Sequence, residues 1–201
     1  MTREAAGKRG YHHGDLRRAV IDAALDLVWE RGAHGFSLAE AARRAGVSVA
    51  APYRHFADRE AVLAAAAAEG FDALADVLLA AQASAGEGRL AEEFAAAYVA
   101  FALESPARFT VMFAARLDKP RYPELMAAAD RTGPPLRAAV EHLPDPDGAV
   151  ARVWAIAHGA ATLAVEGLLT RYHATGETAD SVVRSAVRDW EAGTGGRAGG
   201  Q

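Results

Sequence analysis

The chain has 201 residues, 51% of them hydrophobic, with a formal net charge of −4. That is enough apolar material for a buried core in one large or two small domains, and it excludes intrinsic disorder over most of the length. There are no cysteines, which excludes a disulfide framework and a thiolate metal site and fits a reducing compartment.

Residues 1–14 lack periodicity and contain Gly7, Gly10 and Gly14, so they read as a flexible basic arm. Asp15 is placed to cap a helix to about Arg31, with Gly32 as its stop. Leu16, Val20, Ala23, Ala24 and Leu27 share one side of this helix. Ile21, Leu25 and Val28 widen the arc, so neighbours must cover it on two sides. Ser37-Leu38-Ala39-Glu40 is a capping box. It opens a short helix to Ala45, after which Gly46 supplies a turn at positive φ. Ser48 is placed to cap a second short helix, Val49 to about His55. Pro52 falls within it and is expected to tighten the first turn without destroying the helix. Asp58 then caps a long helix to about Ala83, burying Leu63, Ala67, Phe71, Leu74 and Leu78.

After Gly86-Glu87-Gly88, helices are expected over 89–104 and from Pro106 to about Leu117. The stretch 122–143 is helical but interrupted at Gly133-Pro134-Pro135, giving a kink or two helices. Pro144-Asp145-Pro146 is a linker, and the last helices are expected over 147–173 and 177–191. The glycine-rich stretch 193–201 reads as a disordered tail. Helix formers dominate and alternating β-branched runs are absent, so the fold class is all-α, with about nine helices. The N-terminus has no apolar stretch before residue 16 and shows no signal peptide. The most apolar helix contains Arg152, His158 and Glu166, which argues for a soluble, cytoplasmic protein with no membrane partner.

Charge is unevenly distributed. Residues 1–60 hold ten Lys and Arg against eight Asp and Glu, with His12, His13, His34 and His55 in addition, and the remainder is acidic. The positive end points to nucleic acid. It also contains the segment Phe36 to Phe56, FSLAEAARRAGVSVAAPYRHF, which reads as two short capped helices around a tight glycine turn. Ala41 and Ala42 allow close helix packing and Val47 fills the inner side of the turn, as in a helix-turn-helix. Tyr53 alone reads equally as a core aromatic or a surface contact, Phe56 as core, and Arg43-Arg44 as a solvated face or a contact. His12 and His13 share no helical face and have no carboxylate cluster, so no metal is expected. No cofactor is expected either. There is no nucleophile–base pairing, HExxH motif or phosphate loop, which argues against an enzyme.

From about Leu16 to Leu63 the chain resembles the DNA-binding domain of TetR-family transcriptional regulators. The resemblance is carried by the helix before the motif, the Ala45-Gly46-Val47-Ser48 turn, the Tyr53-x-His55-Phe56 ending and the Asp58-Arg59-Glu60-Ala61 helix start. Tyr11-His12-His13-Gly14-Asp15-Leu16-Arg17 and Trp154…His158-Gly159 resemble a subgroup with a Trp-His-Gly C-terminal domain. The resemblance implies a DNA-binding domain and arm over 1–60, a helical ligand-binding and dimerisation domain over 61–192, and the tail. It places the second motif helix in the major groove, with Ser48, Val49, Ala50 and Ala51 at the base-facing end. Those three apolar side chains would touch thymine methyls. Tyr53, His55, Arg59, the α-helical N–H groups after Asp58, and Ser37 would hold phosphates. Arg54 is the one long polar side chain of that helix, at a position that less often reads bases.

Trp154, His158, Thr162 and Glu166 form one stripe. It reads as a pocket or dimer-facing stripe, or as a structural tryptophan beside a core histidine. Gly159 and Gly167 would allow close helix approach and, with Val182, Val183, Ala186, Val187 and Trp190, form a homodimer interface on the last two helices, as the family does. Phe94, Tyr98, Phe101, Phe109, Met112, Phe113 and Met126 would line a ligand cavity or serve as plain core. The expectation is a ligand-responsive regulator, usually a repressor in this family, bound as a homodimer to palindromic double-stranded DNA and released by an unidentified small, largely apolar effector. The alternatives are an architectural DNA-binding factor without a ligand, or a helical enzyme.

Overall fold

Local chemistry fixes several of the helix ends. The computed structural model describes residues 13–114, 116–169 and 177–195. Its elements are α1 (His13–Arg31), α2 (Leu38–Arg44), a 3-10 turn (Pro52–Arg54), α3 (Arg59–Ser84), α4 (Leu90–Glu104), α5 (Pro106–Ala114), a second 3-10 turn (Lys119–Arg121), α6 (Pro123–Asp130), α7 (Gly133–Val140), α8 (Pro146–Val165) and α9 (Ala179–Gly195). The all-α expectation holds. Residues 1–12 of the expected arm 1–14 and residues 196–201 lie outside the described residues, and 13–14 belong to α1.

α1 starts at His13, two residues before the expected Asp15 cap, and stops at Gly32, whose φ is +79°. The α2 capping box is complete: Glu40 N donates to Ser37 Oγ at 3.2 Å, and Ser37 N donates to Glu40 Oε2 at 2.8 Å. These contacts hold the Glu40 carboxyl below its ordinary range, the Ser37 backbone N–H contributing most. Asp58 caps α3 by accepting from Ala61 N at 2.8 Å.

Three helix ends differ from expectation. The α6–α7 break falls at Arg131-Thr132, and Gly133-Pro134-Pro135 forms the first turn of α7. Proline is well tolerated there because first-turn N–H groups have no intrahelical acceptor. α8 ends at Val165, short of His173, because Gly167 takes the left-handed conformation at φ +70°; residues 170–173 lie outside the described residues. α9 runs to Gly195, so 193–195 is helical where a disordered tail was expected. It is entered through reciprocal Thr178–Ser181 hydrogen bonds, Ser181 N to Thr178 Oγ1 at 3.2 Å and Thr178 N to Ser181 Oγ at 3.0 Å.

α3 is the spine. Val62, Leu63, Ala67, Phe71, Leu74 and Leu78 are buried along it, and it contacts α1 as well as α4, α5, α6 and α7. α4 packs on α3, α7, α8 and α9. Glu92, 5% exposed, is paired across this contact with Arg188 on α9 at 2.5 Å, and that guanidinium holds the Glu92 carboxyl below its ordinary range. Gly70 lets α5 approach α3: a Cβ there would lie 2.7 Å from Met112 Sδ.

Candidate nucleic-acid interface and effector cavity

The reading module is built on α1. Val20, Ile21 and Val28 are buried in one core with Leu38 and Ala41 of α2 and Phe56. Arg44 clamps α2 to α1 through Glu30, at 2.6 and 2.9 Å, so this arginine is structural and only Arg43 is left as an open exposed cation of the pair. Gly46 turns the chain at φ +71°.

The second motif helix is not an α-helix. Residues 49–50 form a turn and Pro52–Arg54 a single 3-10 turn. Ala51 N donates to Ser48 O at 2.9 Å, Arg54 N to Ala51 O at 3.2 Å and His55 N to Pro52 O at 2.9 Å, all spaced by three residues. Proline at 52 has no N–H for Ser48 O, so the first α-type bond is missing and the tighter winding takes over. The presentation is nonetheless outward: Ser48, Val49, Ala50, Tyr53 and Arg54 are exposed, Ala51 and His55 half-buried, and Pro52 and Phe56 buried. Tyr53 is 57% exposed, so it is not a core aromatic.

Two of the expected phosphate contacts already have partners. The Ser37 hydroxyl belongs to the capping box. Arg59 Nη1 donates to Ala33 O at 3.1 Å, and its guanidinium lies 5.8 Å from the Phe36 ring centroid. Arg59 therefore pins the start of α3 to the α1–α2 connection. Behind it, the turn Lys119–Arg121 docks on the same helix start, with Arg121 Nη2 donating to Asp58 Oδ2 at 3.1 Å and Asp118 N to Glu60 Oε1 at 3.4 Å.

The C-terminal bundle holds an aromatic cluster around His158. Its ring lies 4.6 Å from Phe113, 5.4 Å from Phe109 and 5.5 Å from Trp154. Tyr98 Oη and His158 Nδ1 share a hydrogen bond at 3.0 Å. Burial pushes the His158 imidazole below its ordinary value and the Tyr98 phenol well above its own. The cluster borders a groove of about 280 Å³ lined by Phe109, Phe113, His158 and Thr162 among others. It also borders a cavity of about 220 Å³ whose walls include Phe71, Phe94, Tyr98, Phe113, Lys119 and Trp154. Phe101 and Met112, expected at the cavity, line neither space and are 5% and 1% exposed core residues. Met126 is 37% exposed on α6.

Comparison with known proteins decides the family. Residues 20–66 match the profile described as bacterial regulatory proteins, tetR family, and residues 91–189 match the tetracyclin repressor-like C-terminal domain. The chain belongs to the tetR family. Solved structures agree with this. A protein of unknown function from Rhodococcus sp. RHA1 is 31% identical, with 93% of this chain and 99% of that one covered at a TM-score of 0.76. A TetR/AcrR-family transcriptional regulator from Thermobifida fusca YX-ER1 is 25% identical over 87% of this chain and 95% of its own, TM-score 0.58. The TetR-family regulator PfmR from Thermus thermophilus, 20% identical over 84% and 94%, shares the fold at a TM-score of 0.60. No curated protein matches the chain.

As a tetR-family protein, the chain is a helix-turn-helix DNA-binding transcription regulator, and its relatives in this family are regulators. Regulators of this family bind DNA operators and dimerise. The residues expected at a dimer interface divide between two environments. Val183 and Val187 are fully buried within the chain against α4, so no partner subunit can reach them, and Trp190 is half-buried. Gly167 stops α8. Gly159 faces open space, with nothing within 4 Å of a built Cβ. α8 is by length and composition apolar enough to cross a membrane, but it packs against α4, α7 and α9. Sequence reading missed Lys119 and Arg121. The one signal for Lys119 was its rarity, since Lys8 is the only other lysine among 22 basic residues.

Proposed function

We propose that this regulator is a ligand-responsive repressor of the Trp-His-Gly subgroup, acting in the cytoplasm as a homodimer on a palindromic operator. Residues 1–60 are its reading domain, with Val49, Ala50 and Ala51 toward the bases and Tyr53, Arg54 and His55 toward the backbone. Ser48 stands with the first three at the base-facing end, and Ser37 and Arg59 contribute at the edges once their intramolecular bonds rearrange on DNA. Residues 61–192 are the effector and assembly domain. A two-fold dimer calls for a two-fold site in the DNA.

The observation that carries the ligand reading is the pair of aromatic-walled spaces sharing Phe113, set against the same helix that begins at the reading segment. A mostly apolar concavity with few polar groups is the usual form of a small-molecule site. A ligand that prefers one tilt of α3 would change the separation of two reading heads and lower DNA affinity by its differential affinity for the two states. The dimer reading rests on the outer face of α8, where Ala151, Ala155, Gly159 and Leu163 follow at four-residue spacing; Leu163 is 42% exposed, and Trp154 beside them 44%.

The test is a screen of small apolar compounds by thermal shift and by release of operator DNA. The expected result is at least one compound that raises the melting temperature and lowers DNA affinity together. DNA binding that no cavity-binding compound alters would contradict ligand control.

A further inference from the structure

We propose that the effector is a small carboxylic acid with an apolar body, its carboxylate held by Lys119. This rests on the ligand-responsive reading above and names the chemistry of that site. The cavity of about 220 Å³ has one charged residue in its lining, Lys119. Its ammonium lies 5.5 Å from the Phe71 ring centroid, and among the described residues it forms no ion pair and no hydrogen bond. A ring face offers no lone pair, so the ammonium's three donors are open to solvent or to a ligand's acceptor at this half-buried position.

Most arginines of the helical domain are committed within the chain: Arg121, Arg131, Arg137, Arg152, Arg184 and Arg188 each hold a carboxylate. Where the chain places a lysine instead, it places a compact point charge on an apolar stem, suited to one monoanionic head and not to a planar bidentate partner. Two neutral polar groups of the lining are already engaged: Tyr98 Oη with His158 Nδ1, and Thr132 Oγ1 donating to Ala129 O at 2.8 Å. A doubly charged phosphate would need more than one cation. The volume lies below the ~300–1,000 Å³ of sites for drug-sized ligands, which fits a short acyl chain or a single ring.

Lys119 is the first residue of the 3-10 turn whose last residue is Arg121. A carboxylate that draws Lys119 off Phe71 therefore shifts the turn that grips Asp58 and Glu60 at the start of α3. Binding and release of the reading head share one short segment.

The experiment uses the full chain with hexanoate and phenylacetate as probes and hexanamide and phenylacetamide as neutral counterparts, read by calorimetric titration and by displacement from operator DNA. Each acid is expected to bind about tenfold or more tightly than its amide. Lys119→Met should remove that preference while leaving amide affinity within about twofold, and Lys119→Arg should retain part of it. Equal binding of acid and amide to the wild type, or a preference that survives in Lys119→Met, would overturn the proposal. If Lys119→Met does not fold, the wild-type acid–amide comparison decides alone. Amides that bind and release DNA as well as the acids would sink the carboxylate head and leave ligand control standing. Probes that neither bind nor displace DNA would overturn the carboxylate proposal, and ligand control would then stand or fall with the apolar screen above.

Discussion

One carboxylate, that of Asp58, is shared between Ala61 N, which donates to Oδ1 at 2.8 Å, and Arg121 Nη2, which donates to Oδ2 at 3.1 Å. Asp58 thus caps the long helix beside the reading segment and receives the turn that borders the cavity. The two jobs separate by mutation. Asp58→Ala removes both and should lower stability by about 0.5–2 kcal/mol, the usual loss of an N-cap. Asp58→Asn keeps the cap, and Arg121→Ala removes half-exposed ion pairs to Asp58 and Glu60, so both should be nearly neutral in urea denaturation. The latter two should instead weaken the dependence of operator affinity on effector. Equal loss of stability in all three variants would contradict the division.

His158 predicts a pH dependence. Burial among Phe109, Phe113 and Trp154 holds its imidazole below the ordinary value of 6.5. The unfolded chain therefore takes up a proton near pH 6.5 where the folded chain does not. Stability from this residue is complete above that pH and declines as pH falls toward the folded pKa. Across about pH 7 to 5, the melting temperature of His158→Gln should fall less steeply than that of the wild type. Parallel slopes would show that His158 does not carry the effect.

Gly159 gives a clean test of assembly. A Cβ there meets nothing within 4 Å in the chain, and glycine in a helix interior is about 1 kcal/mol less favourable than alanine. Gly159→Leu should leave the subunit fold intact or slightly more stable by circular dichroism. Sedimentation should show it shifted from dimer to monomer, because the side chain projects where a second subunit's helix would pack. A dimer of unchanged strength would place the interface elsewhere.

How far the sequence reaches can be judged at particular residues. Ser37 with Glu40, Gly32, Gly46 and Asp58 act within four residues of themselves, so their roles follow from local chemistry and are legible. Pro52 was legible in kind: the missing N–H is local, but the conversion of the whole short helix to one 3-10 turn depends on how few other bonds it had. Gly167 was misread, since helix stop and close-approach glycine look alike in a one-dimensional pattern. Val183 and Val187 look like any apolar stripe, and whether α4 or another subunit covers them is settled by packing. Contacts spanning about sixty residues, such as Arg121 with Asp58 and Tyr98 with His158, leave no local trace.

The central claim is that Ser48 to His55 reads one half of a symmetric duplex site, and selection of bound DNA from a random pool tests it most directly. A palindrome should emerge, with half-sites separated by about one helical turn, ~34–36 Å, or a multiple of it. Tyr53→Phe should lower affinity for all sequences by similar factors, while substitutions at Val49 or Ala50 should change the selected sequence itself. A pool that yields no enriched sequence, or only an asymmetric one, would contradict the account.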